Sequence, residues 1–428
     1  MRTLAFLRPW MLLTRTILVV LIALASTTTI VGRAVASDWQ EDLDRLAKEL
    51  PARHANAFFH VSEEDFDAAV AALGHDIPSL TDAQIVVRLM RLVGMIGDSH
   101  TTVSGYGFRR LPIDLEWFPD GIYVVRATDE HRDLLGSRLI AIDETPIDEA
   151  ESLVGAVIPH ENQEWLRARI TEFLILPEVL QATGVSATVE STSVELETRG
   201  GQRVERLLRP LAASWNGPWR TLPDPSWTRL PLYRTNPALN YWYVYLPEKR
   251  AIYLKYNVCR DTPSHPFNSV GEELMQLMAT EPVEKLVLDM RDNGGGDSRV
   301  LQPLISGIQS FTELNRPDRF FVVTGRSTFS SAMINAIELR KQTNATFVGE
   351  PTGGKPNSYG EVLSFTLPHS GLRITYSTRY FEMLPGENPP SFEPDLEIRT
   401  SAKEYFAGRD AVMEWIFPPP PRHRAVSR

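Results

Sequence analysis

Residues 251–348 alternate regularly between strand-like and helix-like segments. In chain order the segments are "AIYLKYN", "VGEELMQLMA", "KLVLDM", "SRVLQPLISGI", "RFFVVTG", "SSAMINAIELRKQ" and "ATFV". Short apolar runs alternating with helical spacing predict a largely parallel sheet covered by helices, which is an α/β fold class. Active sites in such sheets form in the loops that leave the carboxyl ends of the strands.

The pattern changes several times along the chain, and the changes predict its organisation. Helical spacing precedes "GDSHTTV", alternating strand patterns follow it, and a proline- and tryptophan-rich stretch at 213–240 reads as a linker or arm. We predict a signal peptide (1–36), an N-terminal helical region that carries a Ser-His pair (37–107), a strand-rich module (108–212), the α/β core (213–416) and a disordered tail (417–428).

The N-terminus has the layout of an export signal. Three arginines precede the apolar run "TILVVLIALA", and "AVA" at 34–36 offers a cleavage site. An uncleaved membrane anchor is the alternative, although the run is short for a full span. Either reading predicts that the body of the protein lies outside the cytoplasm, as a periplasmic or secreted protein, with membrane association only through an uncleaved segment.

Composition narrows the classes of partner. The formal net charge is -10, so no basic field is expected to attract nucleic acid. Cys259 is the only cysteine, which excludes an internal disulfide, and we expect it to be a buried apolar side chain.

The stretch "GEPTGGKPNS" at 349–358 is close to a phosphate-binding loop but fails at its last position. Pro356 stands where a Ser or Thr hydroxyl would hold magnesium, and proline offers neither a hydroxyl nor an N–H. We therefore expect no nucleotide, no metal and no other cofactor.

Three loops carry groups that suit nucleophilic catalysis. "RDNGGGDS" places Gly294, Gly295 and Gly296 after a strand, where bare backbone can approach a carbonyl and offer N–H groups to an oxyanion. "GRSTFSSAM" places Ser330 at the start of a helix, either as a nucleophile at the positive end of the helix dipole or as an ordinary N-cap. His100, on the glycine-flanked loop "GDSHTT", is the histidine best placed to act as a general base.

Three motifs in order resemble the serine peptidase family of C-terminal (tail-specific) processing proteases and the tricorn core protease. They are "KLVLDMRDNGGGDS", "VVTGRSTFSSA" and "FVGEPTGGKPNSYGE", with "SFEPDLEI" similar to the family's closing motif. The resemblance implies a crotonase-like (ClpP/crotonase-type) α/β catalytic core. It also implies a PDZ-like, β-rich module around "LLGSRLIAIDETPIDEAESLV", and a peptide or protein substrate.

The site residues implied by this resemblance depend on the branch of the family. "GDSH" is similar to the tricorn-like branch, which implies Ser330 as nucleophile, His100 as base and Ser99 as orienting hydroxyl. It also implies a glutamate that completes the site, for which Glu387 matches best and Glu393 and Glu382 are substitutes. Oxyanion donors would be the N–H of Gly294 or Gly295 and that of Ser331.

Two alternatives stay open. In the processing-protease branch a lysine in the "GEPTGGK" segment is the base, which would be Lys355. The family also contains domains that bind hydrophobic ligands without proteolysis, so a non-catalytic protein that binds such a ligand or a peptide on the same fold is the rival function. The presence of both Ser330 and the Ser99–His100 pair favours the peptidase.

Overall fold

The computed structural model describes residues 36–212, 214–222 and 230–418. All but the last residue of the predicted signal peptide lies outside these residues, as does the predicted tail beyond residue 418. Within the described residues, no helix combines the length and the apolar character that crossing a membrane requires.

Helices come mainly from the N-terminal part and from the α/β part. In the described residues they are α1 (Ala36–Arg53), α2 (Glu63–Asp76), α3 (Asp82–Gly94), α4 (Ile147–Gly155), α5 (Gln163–Phe173), α6 (Pro177–Ala182), α7 (Phe267–Thr280), α8 (Gln302–Ile308), α9 (Ser331–Gln342), α10 (Ala402–Phe406) and α11 (Ala411–Ile416).

Strands form three sheets. They are β1 (Val103–Ser104), β2 (Ile113–Phe118), β3 (Gly121–Thr128), β4 (Arg138–Ile142), β5 (Thr145–Pro146), β6 (Thr192–Glu197), β7 (Arg203–Leu208), β8 (Trp219–Thr221), β9 (Tyr241–Leu246), β10 (Ala251–Tyr256), β11 (Lys285–Asp289), β12 (Phe320–Thr324), β13 (Thr346–Gly349), β14 (Asn357–Thr366), β15 (Arg373–Glu382) and β16 (Leu396–Glu397).

The alternating region forms the predicted parallel sheet. Its six strands lie in the order β16-β13-β12-β11-β10-β9, and all neighbours pair in parallel except β9, which runs antiparallel to β10. Every residue of β10 and of β12 is buried, as expected for strands covered on both faces. The prediction of a largely parallel sheet is confirmed, and the loops after β11, β12 and β13 emerge at one edge.

A second, antiparallel sheet follows the path β2-β3-β4-β6-β7, with β5 beside β4 and β8 beside β3. β8 lies in the stretch that we predicted to be a linker, yet it pairs with β3 in the register Arg126↔Thr221. The proline-rich composition of 213–240 therefore hides a short edge strand, because pairing with a distant strand leaves no local pattern.

The long hairpin β14–β15 joins the N-terminal helices to the rest of the chain. β1 pairs with β15, and Val103 lies opposite Ile374. Ile374 and Phe365 belong to the same buried cluster as Leu46 and Leu89 of the N-terminal helices. This packing brings the loop after α3, which contains the Ser-His pair, towards the α/β sheet.

A buried ion pair ties the last helix to the parallel sheet. The Arg291 guanidinium donates to Asp410 through Nη1 at 3.3 Å and Nη2 at 3.2 Å, and Nη2 lies 3.0 Å from Asp289. Asp410 also caps α11 by accepting the N–H groups of Val412 and Met413. One carboxylate thus satisfies both a buried cation and a helix terminus.

We expect Asp410→Ala to lower the free energy of unfolding by roughly 3 kcal/mol, because it leaves a buried cation short of a partner and uncaps α11. The matched control is Asp318→Ala, which removes an exposed partner of Arg316 and should cost less than about 1 kcal/mol. Urea unfolding of both variants measures the difference, and equal losses would contradict it.

Candidate active site

Ser330 lies between β12 and α9 in a strained backbone conformation. Its φ is 52° and its ψ is -125°, in a region that residues other than glycine rarely occupy and that costs roughly 1–3 kcal/mol. Its side chain makes no cap bond to α9, and its hydroxyl has no hydrogen bond to any described residue. An ordinary N-cap would accept a helix N–H, so Ser330 does not cap the helix, and its hydroxyl is left unengaged.

The Ser330 loop is fastened to the end of β11. The Thr328 hydroxyl donates to the carbonyl of Met290 at 2.9 Å, and the N–H of Phe329 donates to the carbonyl of Asn293 at 3.0 Å. These bonds immediately before Ser330 oppose relaxation of its backbone, so the strain is held in place by neighbouring structure.

The glycine loop meets Ser330 directly. A Cβ atom on Gly295 would lie 2.7 Å from Ser330 Cβ and 3.0 Å from the Ser331 nitrogen, and Gly295 has a φ of 103°. Gly296 approaches Cys259 as closely, since a Cβ there would lie 2.2 Å from the Cys259 carbonyl oxygen. Only glycine fits at either position. Cys259 is buried, as expected, and supports the glycine loop from behind.

The predicted oxyanion donors differ in their availability. The N–H of Gly295 donates to Oδ1 of Asn293 at 2.9 Å. The N–H groups of Gly294 and Ser331 have no acceptor among the described residues. Of the two glycines left open by the sequence, Gly294 therefore has the N–H that remains available beside Ser331, and Gly295 serves as the point of close contact.

An aromatic stack brings His100 to the residue next to Ser330. The His100 ring lies on Phe329 with centroids 4.5 Å apart, and Trp165 stacks on Phe329 at 3.9 Å. Only 10% of the His100 side chain is exposed, and neither ring nitrogen has a hydrogen-bond partner in the described part of the chain. His100, far from Ser330 in sequence, thus packs against the residue that immediately precedes Ser330.

Asp98, two residues before His100, is the anion of this site. Its Oδ2 accepts hydrogen bonds from His54 at 3.1 Å, Thr101 at 2.5 Å and Ser377 at 2.7 Å. Its Oδ1 accepts the backbone N–H of His100 at 3.0 Å and lies 3.6 Å from His100 Nδ1. Burial alone would raise the pKa of Asp98, but the nearby His100 imidazole, together with hydrogen bonds from His54 and Thr101, holds it well below its usual range.

Glu161 lies beside Ser99, at a place the sequence assigned to another glutamate. Burial, and then the charge of Asp98, raise the pKa of Glu161 to about 8, although the Lys355 ammonium and Ser99 act in the opposite direction. Ser99 lies close enough to lower the pKa of Glu161, but its hydroxyl lacks hydrogen-bond geometry to the carboxyl. Ser99 Oγ and Glu161 Oε2 are both buried without hydrogen-bond partners among the described residues. Neither Asp98 nor Glu161 was singled out from the sequence, although Asp98 stands in the "GDSH" segment itself.

The structure does not bring the predicted Glu387 to this site. Glu387 is exposed in the turn after β15, and its carbonyl accepts a hydrogen bond from Asn357 at 2.6 Å. The substitutes Glu382 and Glu393 are exposed as well. The glutamate beside Ser99 is Glu161, which precedes α5 in a segment without any recognisable motif, so only tertiary packing reveals it.

Lys355 lies in the loop between β13 and β14, against the Ser330 loop. The N–H of Gly354 donates to the carbonyl of Thr328 at 3.0 Å, which joins the two loops. Lys355 is half-buried and forms no ion pair within the described residues, while its charge lowers the pKa of Glu161. The Lys355 ammonium thus acts electrostatically on Glu161.

A large cavity of about 730 Å³ lies next to this site, at the carboxyl ends of the parallel strands. Arg326, which begins the Ser330 loop, lines it together with Glu350 and Glu116, and its guanidinium pairs with both carboxylates. Neither Ser330 nor His100 lines this cavity. Its position therefore suits contacts with more distant parts of a ligand and not the reacting atoms.

One group of side chains within the described residues has the spacing of a metal site. The ligand atoms of Asp98, His100 and Glu161 all lie within 4.8 Å of one another. A nitrogen and two carboxylate oxygens form a donor set that zinc accepts.

Comparison with known proteins gives matches at the level of structure. No family model and no curated protein matches the chain. Mature CPAF complexed with lactacystin aligns with a TM-score of 0.62 and 13% identity over 89% of this chain and 97% of that chain. A CPAF mutant aligns with the same TM-score and identity over 89% of this chain and 96% of that chain. The tricorn protease covers 90% of this chain and 36% of its own length at 16% identity and a TM-score of 0.42.

At 13% identity the likeness to CPAF shows a shared fold. The resemblance to the tail-specific peptidase family that the motifs predicted is confirmed at the level of the fold. The mixed helix and sheet architecture agrees with this, while the PDZ-like and crotonase-like descriptions of its parts stay predictions.

We expect Gly295→Ala to slow covalent labelling of Ser330 by a serine-directed fluorophosphonate by roughly 100-fold, because the added Cβ must displace Ser330. The matched control is Gly201→Ala, where φ is 79° and nothing lies within 4 Å of the added atom. Labelling followed by mass spectrometry measures both rates. Normal labelling of Gly295→Ala would mean that the close contact does not govern Ser330.

Proposed function

We propose that this chain is an exported serine peptidase that hydrolyses peptide bonds through an acyl-enzyme. The observation that carries the proposal is the strained, unpaired Ser330, placed between the glycine loop and the aromatic stack that holds His100. Strain at a residue with a free nucleophilic hydroxyl is typical of catalytic sites. The fold shared with CPAF supports the same class of activity, and the N-terminal sequence pattern supports export.

In the proposed reaction Ser330 Oγ attacks the scissile carbonyl while His100 accepts the hydroxyl proton. His100 then returns that proton to the leaving amine, which breaks the C–N bond and leaves an ester on Ser330. Water, activated by the same imidazole, hydrolyses the ester and restores the enzyme. Each step uses groups of this chain together with substrate and water.

The N–H groups of Gly294 and Ser331 stabilise the negative charge on the oxygen of the tetrahedral intermediate. Both are without acceptors among the described residues, so no internal hydrogen bond has to break when an oxyanion forms. Losing one such donor typically costs roughly 3–4 kcal/mol of transition-state stabilisation. Ser331 also stands at the first position of α9, where the helix dipole favours an anion.

We propose that Asp98 orients the imidazole of His100. Its Oδ1 accepts the backbone N–H of His100 and faces Nδ1 at 3.6 Å, so its charge stabilises the imidazolium that forms during the reaction. In this proposal Ser99 keeps the orienting role that the resemblance implied, and Glu161 replaces Glu387 as the glutamate that completes the site. The two side chains form a polar pair beside the imidazole.

The nucleophile is tested with Ser330→Ala against wild type on a peptide library. We expect wild type to cleave and Ser330→Ala not to cleave, because without the nucleophile neither the attack step nor any later step takes place. Ser310→Ala, which removes an exposed hydroxyl in the turn after α8, should cleave normally. Equal cleavage by Ser330→Ala would remove Ser330 as nucleophile, and no cleavage by any form would favour the hydrophobic-ligand or peptide-binding protein.

The base is tested by comparing His100→Ala with Lys355→Ala. We expect His100→Ala to lower kcat by about 10²- to 10⁴-fold, which is the usual contribution of general-base catalysis, while Lys355→Ala retains most activity. Steady-state kinetics on a cleaved peptide measures both. The reverse ranking would assign the base to Lys355, and circular dichroism of each variant separates loss of chemistry from loss of fold.

A further inference from the structure

Four buried polar atoms of the proposed active site have no hydrogen-bond partners among the described residues. They are both ring nitrogens of His100, Oε2 of Glu161 and Oγ of Ser99. Buried polar atoms are nearly always satisfied, so such a group calls for an occupant that the protein itself does not supply.

The donor atoms in this group match a small divalent cation. The Asp98, His100 and Glu161 ligand atoms lie within 4.8 Å of one another, and Asp98 Oδ1 is 3.6 Å from His100 Nδ1. Ligand atoms around a tetrahedral zinc are about 3.3 Å apart, given bonds of about 2.0–2.2 Å. Small side-chain adjustments would close the remaining gap, and imidazole with carboxylate is a donor set that suits zinc better than magnesium or calcium.

The two carboxylate oxygens of Asp98 differ in their hydrogen bonding, and one of them is able to bind a cation. Oδ2 is occupied by the donors of His54, Thr101 and Ser377. Oδ1 accepts only the backbone N–H of His100, so a lone pair remains on it. The Oδ2 donors would keep the carboxylate in position, as outer hydrogen bonds do around protein metal sites.

A cavity gives this cluster a route to solvent. It has a volume of about 570 Å³, and Glu161 lines it together with the imidazoles of His60 and His160. A metal ion could therefore reach Glu161 from outside without opening the core, and two further nitrogen donors lie along its path.

We propose that Asp98, His100 and Glu161 form a binding site for Zn²⁺, and that zinc at this site inhibits the enzyme by occupying Nδ1 of His100, the nitrogen that Asp98 Oδ1 faces at 3.6 Å. The binding site stands on geometry alone, whereas the inhibitory consequence rests on the proposed function. Zinc here is a regulatory ligand and not a cofactor, because a cation on Nδ1 displaces the contact through which Asp98 orients His100 and opposes the positive charge that the imidazole gains when it accepts the Ser330 proton.

The experiment measures zinc binding to the purified full-length Ser330→Ala chain, freed of metal beforehand, by competition with a chromogenic zinc chelator. Ser330→Ala prevents self-cleavage and leaves all three ligands intact. We expect Glu161→Gln in this background to weaken zinc binding by at least roughly 10- to 100-fold. The matched control is Glu273→Gln, which alters the exposed pair between His265 and Glu273, 3.0 Å apart, and should leave the affinity unchanged.

Equal affinity with and without Glu161→Gln would overturn the site, as would an equal loss in the Glu273→Gln control. In wild type, zinc should reduce peptide cleavage in proportion to its occupancy, and a chelator should restore it. Zinc that binds in a Glu161-dependent manner but leaves cleavage intact would overturn inhibition. If wild type cleaves no peptide at all, the proposed function fails, while the binding comparison still decides whether the site exists.

Discussion

The buried carboxylate of Asp98 is the interaction on which the arrangement of the site depends. Its oxygens accept hydrogen bonds from His54 after α1, from its own loop at Thr101 and from Ser377 on β15. An ionised group in the interior is stable only when it is fully hydrogen-bonded, so these contacts oblige three separate segments to meet. Because the loop is held in this way, His100 is presented to the Ser330 loop in a defined orientation.

The Ser330 side of the site depends on strain instead of charge. The parallel sheet brings the loops after β11 and β12 to one edge, where the missing side chain of Gly295 lets the glycine loop touch Ser330. Hydrogen bonds at Thr328 and Phe329 then hold Ser330 at a positive φ. In the described part of the chain, the same arrangement leaves the N–H groups of Gly294 and Ser331 without acceptors. One packing arrangement therefore both strains the backbone at Ser330 and makes these two N–H groups available to an oxyanion.

The elements of the α/β core could be predicted closely because their signals are local. Each buried strand is a short apolar run, and each helix has apolar residues at helical spacing. As a result, β10, β11, β12 and α9 lie where the patterns indicated. β8 was missed, since a three-residue edge strand in a proline-rich stretch takes its structure from β3 and not from its own sequence. The signal segment, the domain bounds and the descriptions of the modules remain predictions.

By itself, the sequence determined the parallel sheet, the position of the glycine loop, and Ser330 and His100 as candidates, because these depend on local pattern and on motif spacing. Only the tertiary structure decided which groups surround them. Glu161 lies beside Ser99 while Glu387 is exposed, Gly294 keeps the available N–H while Gly295 makes the contact, and Asp98 becomes the anion next to His100. These outcomes depend on burial and on contacts between distant segments, and a linear pattern carries no record of which carboxylate the packing will enclose.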